Sequence, residues 1–202
     1  MHLDFFKKYS IPNVILDIKG RDLGTNCVYV DQEIGAYSAI KYLYEKGNKK
    51  IAFIAGPKKL SSSEQAIAGF IRAHKDFNIP LYKELILKIP QKYEYAYSAT
   101  LNLLNNNKDI TAIFSLSDYM CPGIYKALHE KKLKIPNDVS VIGYDDLKIT
   151  YFLQPLLTTV KQPNTKIGKI AARLLLNNIK DKSKWKPKIV RLKPKLIIRD
   201  SA

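Results

Sequence analysis

The chain is poor in the residues that build disulfide-bonded or membrane-spanning proteins. It has 202 residues but only two cysteines, Cys27 and Cys121, which excludes a disulfide framework. No apolar stretch reaches the length that crosses a bilayer, and the first residues lack the basic leader and apolar core of a secretion signal. We therefore expect a protein of the reducing cytoplasm that makes no membrane contact.

The motifs of common catalytic and cofactor sites are also missing. No glycine-rich phosphate loop is present, and no serine lies in a nucleophile elbow. The three histidines, His2, His74 and His129, have no cysteine or carboxylate at metal-ligand spacing. The sequence thus predicts neither an enzyme nor a bound metal or cofactor.

Acidic residues are scarce, above all near the carboxyl end. The formal net charge is +16, and residues 161–199 contain 13 Lys or Arg against one acid, Asp181. Such a segment can bind nucleic acid or acidic lipid. However, most of these cations are lysines, and no helix-turn-helix signature is present. Lys, Asn and Ile are abundant throughout the chain, which is typical of proteins encoded by AT-rich genomes, so codon usage explains the many lysines. We therefore do not expect this chain to bind DNA directly.

Strands and helices alternate along the chain. Apolar runs bounded by Gly, Pro or polar residues predict strands at 14–16, 27–30, 51–55, 85–89, 111–116 and 139–143, and one or two final strands within 189–198, interrupted by Pro194. Apolar residues at helical spacing predict helices at 31–46, 93–104, 118–131 and 166–179, and a further helix capped by the hydroxyl-rich run 61–64. Strands without polar alternation indicate a parallel sheet covered by helices on both faces, an α/β fold.

Polar residues follow four of the predicted strands. They occupy 56–62, 90–91, 117–118 and 144–146. In parallel α/β sheets, ligands bind beyond the carboxyl ends of the strands. The sequence therefore predicts a ligand site where these four loops meet.

Several segments carry a family likeness. The most informative is IPNDVSVIGYDD at 135–146, followed by LLTTV at 156–160. The segments IAFIAGP at 51–57 and FSLSDYMCPG at 114–123 occur in the same order and spacing as their family counterparts. Together they resemble the effector domains of the LacI/GalR family, the lactose-repressor type of bacterial transcription regulator. The likeness covers nearly the whole chain.

The resemblance implies a two-lobed fold of the periplasmic-binding-protein-like type I, in which parallel sheets are flanked by helices. Residues 31–157 and 187–202 are then expected to form the carboxyl-terminal, effector-binding lobe. Residues 1–30 and 158–186 are expected to be the remnant of the amino-terminal lobe. That lobe is expected to lack its first three strands, and the family's helix-turn-helix is expected to be absent from this chain.

Five residues match positions at which the family contacts its effector. Asp145 follows a predicted strand, where its carboxylate can accept two hydrogen bonds from a vicinal diol, although it could instead cap the loop. Asp17 matches an Asp on the other lobe, or is a turn residue. Ser62 matches a hydroxyl contact, or caps a helix. Ser117 takes the place of an amide-bearing Asn, and Gln91 that of a stacking aromatic ring.

Ala66 departs from the family pattern. Many members have at this position an Arg that binds the effector through its forked guanidinium, a strong charge-assisted contact. Alanine cannot make that contact. A phosphorylated or acidic effector is therefore not expected by this route, and the resemblance does not name the effector.

The leading hypothesis is the effector-binding and dimerising part of a LacI/GalR-type regulator, with a sugar as its small-molecule effector. In the family, effector binding is coupled to DNA binding through movement of the two lobes. A homodimer is implied, and DNA contact is implied only through a helix-turn-helix outside this chain. Three alternatives remain open: a solute-binding protein of the periplasmic type, a non-functional remnant of a regulator, and an α/β enzyme.

Overall fold

The structure is a computed structural model that describes residues 3–17, 24–57, 60–180 and 186–202. The chain divides into two compact units. The smaller unit comprises Met1–Asp31 and Pro163–Lys193, and the larger unit comprises Gln32–Gln162 and Pro194–Ala202. Each unit is therefore built from two separate stretches of chain.

Strands and helices alternate through most of the described chain. The strands are β1 (Val14–Leu16), β2 (Asn26–Val30), β3 (Ile51–Ala55), β4 (Ile86–Lys88), β5 (Ala112–Ser115), β6 (Ser140–Asp145), β7 (Thr158–Lys161), β8 (Ile189–Leu192) and β9 (Lys195–Ile197). The α-helices are α1 (Leu3–Lys8), α2 (Gln32–Glu45), α3 (Ser61–Asp76), α4 (Tyr93–Asn106), α5 (Cys121–Glu130) and α6 (Asn164–Lys180). The predicted α/β class is confirmed, and α1 is the one α-helix among these that was not predicted.

The larger unit contains a six-stranded sheet in the order β4-β3-β5-β6-β7-β9. Its neighbouring strands are parallel except for the antiparallel pair β7–β9. Every residue of β3 and β5 is buried, which explains why these strands are continuous apolar runs rather than alternating ones. The ring of Phe53 stacks on Phe70, with centroids 5.2 Å apart, and on Phe114, at 4.7 Å.

Helices α2 and α3 of the larger unit approach each other closely at Gly69. A Cβ atom at this position would collide with the backbone carbonyl of Glu33 in α2. Beside this contact, Arg72 Nη1 donates a 2.6 Å hydrogen bond to Glu33 Oε1. The glycine therefore allows the close spacing of the two helices.

The smaller unit has a parallel sheet in the order β1-β2-β8. Helix α6 covers it through a small apolar core formed by Val28, Val30, Ile167 and Leu192. The carboxylate of Asp31 is fully buried and pairs with the guanidinium of Arg191. A buried carboxylate needs such a partner because the isolated charge is costly to desolvate.

Two strands lie in the opposite unit to the one that was predicted. The segment 158–186 was assigned to the remnant lobe, but Thr158–Lys161 pairs with β6 in the larger sheet. The segment 187–202 was assigned to the larger lobe, but Ile189–Leu192 pairs with β2 in the smaller sheet. The assignment was wrong because a strand joins whichever sheet offers it an open edge, and its local sequence does not encode that choice.

The start of α3 also differs from the prediction. Its N-cap is Leu60, whose side chain makes no capping hydrogen bond, and the run 61–64 lies inside the helix. Instead, Ser61 Oγ accepts a 3.1 Å hydrogen bond from Gln65 Nε2. The serine hydroxyls at the start of this helix are therefore not used as its cap.

Candidate functional site

Polar residues of the larger unit follow five strands that run in the same direction. Parallel pairing joins β4, β3, β5, β6 and β7, so their carboxyl ends lie along one edge of the sheet. This edge, here called the carboxyl edge, carries Gly56, Gln91, Ser117, Asp145 and Gln162. The four loops that the sequence predicted to meet are therefore brought to the same edge.

Asp145 and Asp146 end β6 in backbone conformations that are unusual for L residues. Their φ angles are 109° and 57°. Conformations of this kind cost roughly 1–3 kcal/mol each and persist only where the surroundings hold them. Asp145 Oδ1 accepts a 2.6 Å hydrogen bond from Gln162 Nε2. The Asp145 carboxylate, the candidate contact to the effector, thus lies in a strained loop that other segments hold in position.

Asp146 is held by two cations. Its Oδ1 accepts a 2.6 Å hydrogen bond from Arg199 Nη2, and its Oδ2 accepts one of 2.7 Å from Lys161 Nζ. Burial works against the charged form, but these two partners outweigh it and lower the pKa of Asp146 below its ordinary value. Arg199 also donates through Nη1 to the carbonyl of Leu157, at 2.7 Å. Asp146 therefore fastens the loop after β6 to β7 and to the carboxyl-terminal segment.

Asp118 is a fully buried carboxyl group directly behind this loop. Its Oδ2 accepts a 2.8 Å hydrogen bond from the Leu147 N–H, and its Oδ1 accepts one of 2.7 Å from Thr159 Oγ1. Burial raises the pKa of Asp118 to about 7, the two hydrogen bonds oppose that rise, and the charges of Asp145 and Asp146 add to it. A carboxyl group that titrates near neutrality therefore lies at the centre of the carboxyl edge.

Ser117 is buried and acts as the N-cap of the 3₁₀ segment Asp118–Met120. Its Oγ accepts a 3.4 Å hydrogen bond from the Tyr119 N–H. Its carbonyl accepts a 2.9 Å hydrogen bond from Ser115 Oγ. The neighbouring Asp118 carboxylate is directed at Leu147 and Thr159 instead.

Gln91 lies against the first turn of α3. A Cβ atom on Gly56 would stand 2.9 Å from Gln91 Nε2 and would collide with Ser63 Oγ, so the glycine makes room for both side chains. Ser63 is buried, and its Oγ has no hydrogen-bond partner among the residues that the structure describes. Ser62 precedes it in the same turn and is partly exposed. Ala66, one turn further along, is fully buried in the core.

Asp17 belongs to the smaller unit. It follows β1 with a φ of 60° and is exposed, and its N–H donates a 3.1 Å hydrogen bond to the carbonyl of Val28. Of the five predicted site residues, Ser62, Gln91, Ser117 and Asp145 thus share the carboxyl edge, and Asp17 lies in the other unit.

The sequence placed Asp118 in one of the four polar loops without predicting a role for it, and it missed Gln162 and Arg199. The signal for Asp118 was an acid in the loop that follows a buried strand. Gln162 follows β7 and has the same kind of signal, an amide at a carboxyl strand end. Arg199 offers no such signal, because it reaches Asp146 from 53 residues further along the chain.

The described part of the chain contains no group of three His, Cys, Asp or Glu side chains arranged to hold a metal ion. None of its helices has both the length and the apolar character needed to cross a bilayer.

Comparison with known proteins defines the class. Residues 40–202 match the family model described as a periplasmic binding protein-like domain, and the chain belongs to this family. Within this class, the chain resembles bacterial regulators of the LacI family over nearly its whole length.

The curated relatives include two repressors. The chain is 35% identical over 195 residues to the HTH-type transcriptional repressor PurR of Vibrio vulnificus (strain CMCP6), a match that covers 96% of this chain and 58% of that protein. It is 34% identical over 200 residues to the HTH-type transcriptional repressor PurR of Actinobacillus pleuropneumoniae serotype 3 (strain JL03), covering 98% and 60%. The chain therefore spans about three fifths of the length of these relatives.

Solved structures give the same class. A LacI-family regulatory protein from Chloroflexus aggregans matches with a TM-score of 0.91 and 29% identity, over 98% of this chain and 71% of that one. The transcriptional regulator CelR in complex with cellobiose matches with a TM-score of 0.90 and 27% identity, over 98% and 61%. A LacI-family regulator from Enterococcus faecium with bound ribose matches with a TM-score of 0.85 and 30% identity, over 98% and 73%.

Proposed function

We propose that this chain is the effector-binding part of a bacterial transcriptional regulator of the LacI family, and that its effector is a neutral sugar. The observation that supports the proposal is that Ser62, Gln91, Ser117 and Asp145 occur at or after the carboxyl ends of neighbouring parallel strands of one sheet. These side chains offer hydroxyl, amide and carboxylate groups, which are the groups that recognise the hydroxyls of a sugar. We assign the diol-accepting role to Asp145.

The charge of the carboxyl edge supports a neutral ligand. Asp118, Asp145 and Asp146 place three carboxyl groups there, and among the described residues the cations Lys161 and Arg199 are bound to Asp146. Ala66 replaces the forked cation that would favour an anion. A phosphorylated sugar would therefore meet repulsion at this edge, whereas an uncharged sugar would gain hydrogen bonds.

The relatives support a regulator rather than an enzyme or a periplasmic solute-binding protein, because those with a stated role are transcriptional repressors. We further propose that the protein acts in the cytoplasm. DNA would be bound only through a helix-turn-helix outside this chain. A homodimer is part of the proposal, and sedimentation velocity tests it: a monomer at every concentration up to the millimolar range would rule it out for this chain.

A thermal melt with a panel of ligands tests the effector class. A ligand that binds the native state stabilises it by about 2.7 kcal/mol at a hundredfold excess over its dissociation constant. Ribose, cellobiose and other neutral mono- and disaccharides form one arm, and their phosphate esters form the other. We expect the midpoint to rise with at least one neutral sugar and not with its phosphate ester. A rise with phosphate esters alone would overturn the proposed ligand class.

A further inference from the structure

The Asp118 carboxylate joins three segments that are distant in sequence. Asp118 itself precedes α5, Leu147 follows β6, and Thr159 lies in β7. The two accepted hydrogen bonds, of 2.8 Å from Leu147 N and 2.7 Å from Thr159 Oγ1, use a different oxygen each. Gly143 leaves the room for this arrangement, since a Cβ atom there would collide with Asp118 Oδ1.

The loop at 145–147 needs such an anchor. Asp145 and Asp146 both have positive φ angles, and conformations of this kind persist only when neighbouring contacts over-determine them. Leu147 is the first residue after the strained pair, and its N–H is held by Asp118. The orientation of Asp145 is therefore set in part by Asp118, a buried residue on a different segment of the chain.

We propose that Asp118 is a positioning residue: its carboxylate holds the 145–147 loop in the conformation that presents Asp145, and uptake of a proton by Asp118 loosens that loop. The consequence for ligand binding rests on the proposed sugar-binding function. The positioning of the loop is independent of that function, because it concerns only contacts within this chain.

The chemistry of proton uptake follows from the two hydrogen bonds. As a carboxylate, Asp118 accepts from both Thr159 and Leu147. When a solvent proton adds to Oδ1, the Thr159 hydroxyl can rotate and accept that proton's hydrogen bond, because a hydroxyl both donates and accepts. Oδ2 then becomes the carbonyl oxygen of a neutral acid, and its bond from the Leu147 N–H loses the assistance of the charge. The weakened hydrogen bond is the one to Leu147, which lies two residues after Asp145 in the same loop.

The surroundings of Asp118 place this titration close to neutral pH. Burial raises its pKa to about 7. The titratable and charged groups around it are Asp145 and Asp146 at the end of β6, Cys121 and Tyr125 on α5, and Lys161 and Arg199, which are bound to Asp146. Burial raises the pKa of the Cys121 thiol and that of the Tyr125 hydroxyl, so both stay neutral.

The amide resonance of Leu147 reports the link directly and needs no ligand. In ¹H–¹⁵N spectra of the full chain between pH 5 and 9, we expect the Leu147 amide proton to titrate with a midpoint near pH 7. Asp118→Asn should abolish this titration, because Asn resembles the neutral acid. Thr159→Val should raise the midpoint, since it removes a donor to the carboxylate, and Thr159→Ser should restore it. A Leu147 amide that does not move with pH, or that moves equally in Asp118→Asn, would overturn the proposal.

Ligand binding is measured separately, with the neutral sugar that raises the melting midpoint most. We expect its dissociation constant to rise at least threefold from pH 8 to pH 5.5 in the wild type, and to be independent of pH in Asp118→Asn. The same pH dependence in both proteins would contradict the link between Asp118 and the site. If no sugar binds while the Leu147 resonance titrates as expected, the proposed function fails and the positioning role stands.

Discussion

The two units differ in how completely they bury their apolar residues. In the larger unit, residues of the six-stranded sheet and of its helices form a single hydrophobic core, which includes Phe53, Phe70, Phe114 and Tyr144. In the described part of the smaller unit, Val28, Val30, Ile167 and Leu192 form the core cluster, while Phe5, Tyr9, Leu16, Leu176, Ile179 and Ile189 are exposed. Because apolar burial is the main favourable term in folding, the larger unit has the greater stability of its own.

This difference bears on the strained loop after β6. Positive φ angles at Asp145 and Asp146 cost free energy, and the buried strands beside the loop help to hold them. The sheet strands next to this loop, β5 and β6, are buried almost throughout. Local stability varies across a protein, and regions with few buried apolar contacts open most readily. A precise polar site is therefore expected in the larger unit.

The largest expected effect concerns the aromatic core of that unit. Phe114 is fully buried and stacks on Phe53 at 4.7 Å. Phe114→Ala should lower the free energy of unfolding by about 3–5 kcal/mol, through lost burial and the cavity left behind. Urea denaturation followed by circular dichroism measures it. Tyr95→Ala, at a half-exposed aromatic residue, is the control and should change the stability by less than about 0.5 kcal/mol.

The dependence of stability on pH should come mainly from Asp118. Its pKa is raised from 3.8 to about 7 in the folded state, so between these values the folded protein binds more protons than the unfolded chain. The free energy of unfolding should therefore fall as pH rises from about 4 to about 7, by roughly 2–4 kcal/mol, and then level off. Protonation of Asp118 has two effects: it loosens the 145–147 loop, and it removes a buried charge from the folded state. The second effect raises the free energy of unfolding at low pH, so the whole protein can be more stable while the loop is looser.

Asp118→Asn separates this contribution from the others. The variant should flatten the decline between pH 4 and 7 when urea unfolding is measured in half-unit steps of pH. Asp146 titrates in a different window, because its lowered pKa contributes stability that is lost only as pH falls below its ordinary range. Equal slopes in the variant and the wild type would show that Asp118 is not the group responsible.

A glycine-to-alanine pair sharpens the comparison between the units. Gly69→Ala in α3 would drive a Cβ atom into the Glu33 backbone, so the helix pair must separate. The free energy of unfolding should fall by about 1–3 kcal/mol, as for other overpacked cores. Thermal unfolding monitored at 222 nm measures the change, and a neutral or stabilising result would contradict the close helix contact.

The matched substitution in the smaller unit should have a smaller effect of opposite sign. Gly168 lies in α6, and an added Cβ atom there meets no atom within 4 Å. Gly168→Ala should raise the stability of this unit by about 0.5–1 kcal/mol, because alanine loses less backbone entropy in a helix. Slower amide hydrogen exchange along α6 would reveal the gain, and faster exchange would count against an open helix face.

Much of the fold follows from local patterns. The buried strands β3, β5 and β6 are continuous apolar runs, and α2 repeats its apolar residues at helical spacing, so these elements and the α/β class were predicted. The partners of β7 and β8 were not, because they depend on sheet edges far away in sequence. Helix α1 was missed as well, and we have no physical account of a signal for it.

The candidate site was predictable only in outline. The four positions at the carboxyl edge follow from strand direction and from the family resemblance, and their role in binding stays a prediction. The second layer, Asp118, Gln162 and Arg199, depends on hydrogen bonds between residues that are 17 to 53 positions apart. Composition and spacing carry no information on such contacts, because they form only once the strands are paired.

One measurement tests the central claim, that a neutral sugar binds through Asp145 at the carboxyl edge. Isothermal titration calorimetry would compare the wild type, Asp145→Asn and Asp138→Asn, with the sugar that stabilises the protein most. Asp138 lies just before β6, at the opposite end of the same strand, and its carboxylate accepts a 2.6 Å hydrogen bond from the Lys134 N–H. We predict that Asp145→Asn weakens binding at least tenfold, which corresponds to about 1.4 kcal/mol, while Asp138→Asn leaves it unchanged. Equal affinity in all three proteins would contradict the account.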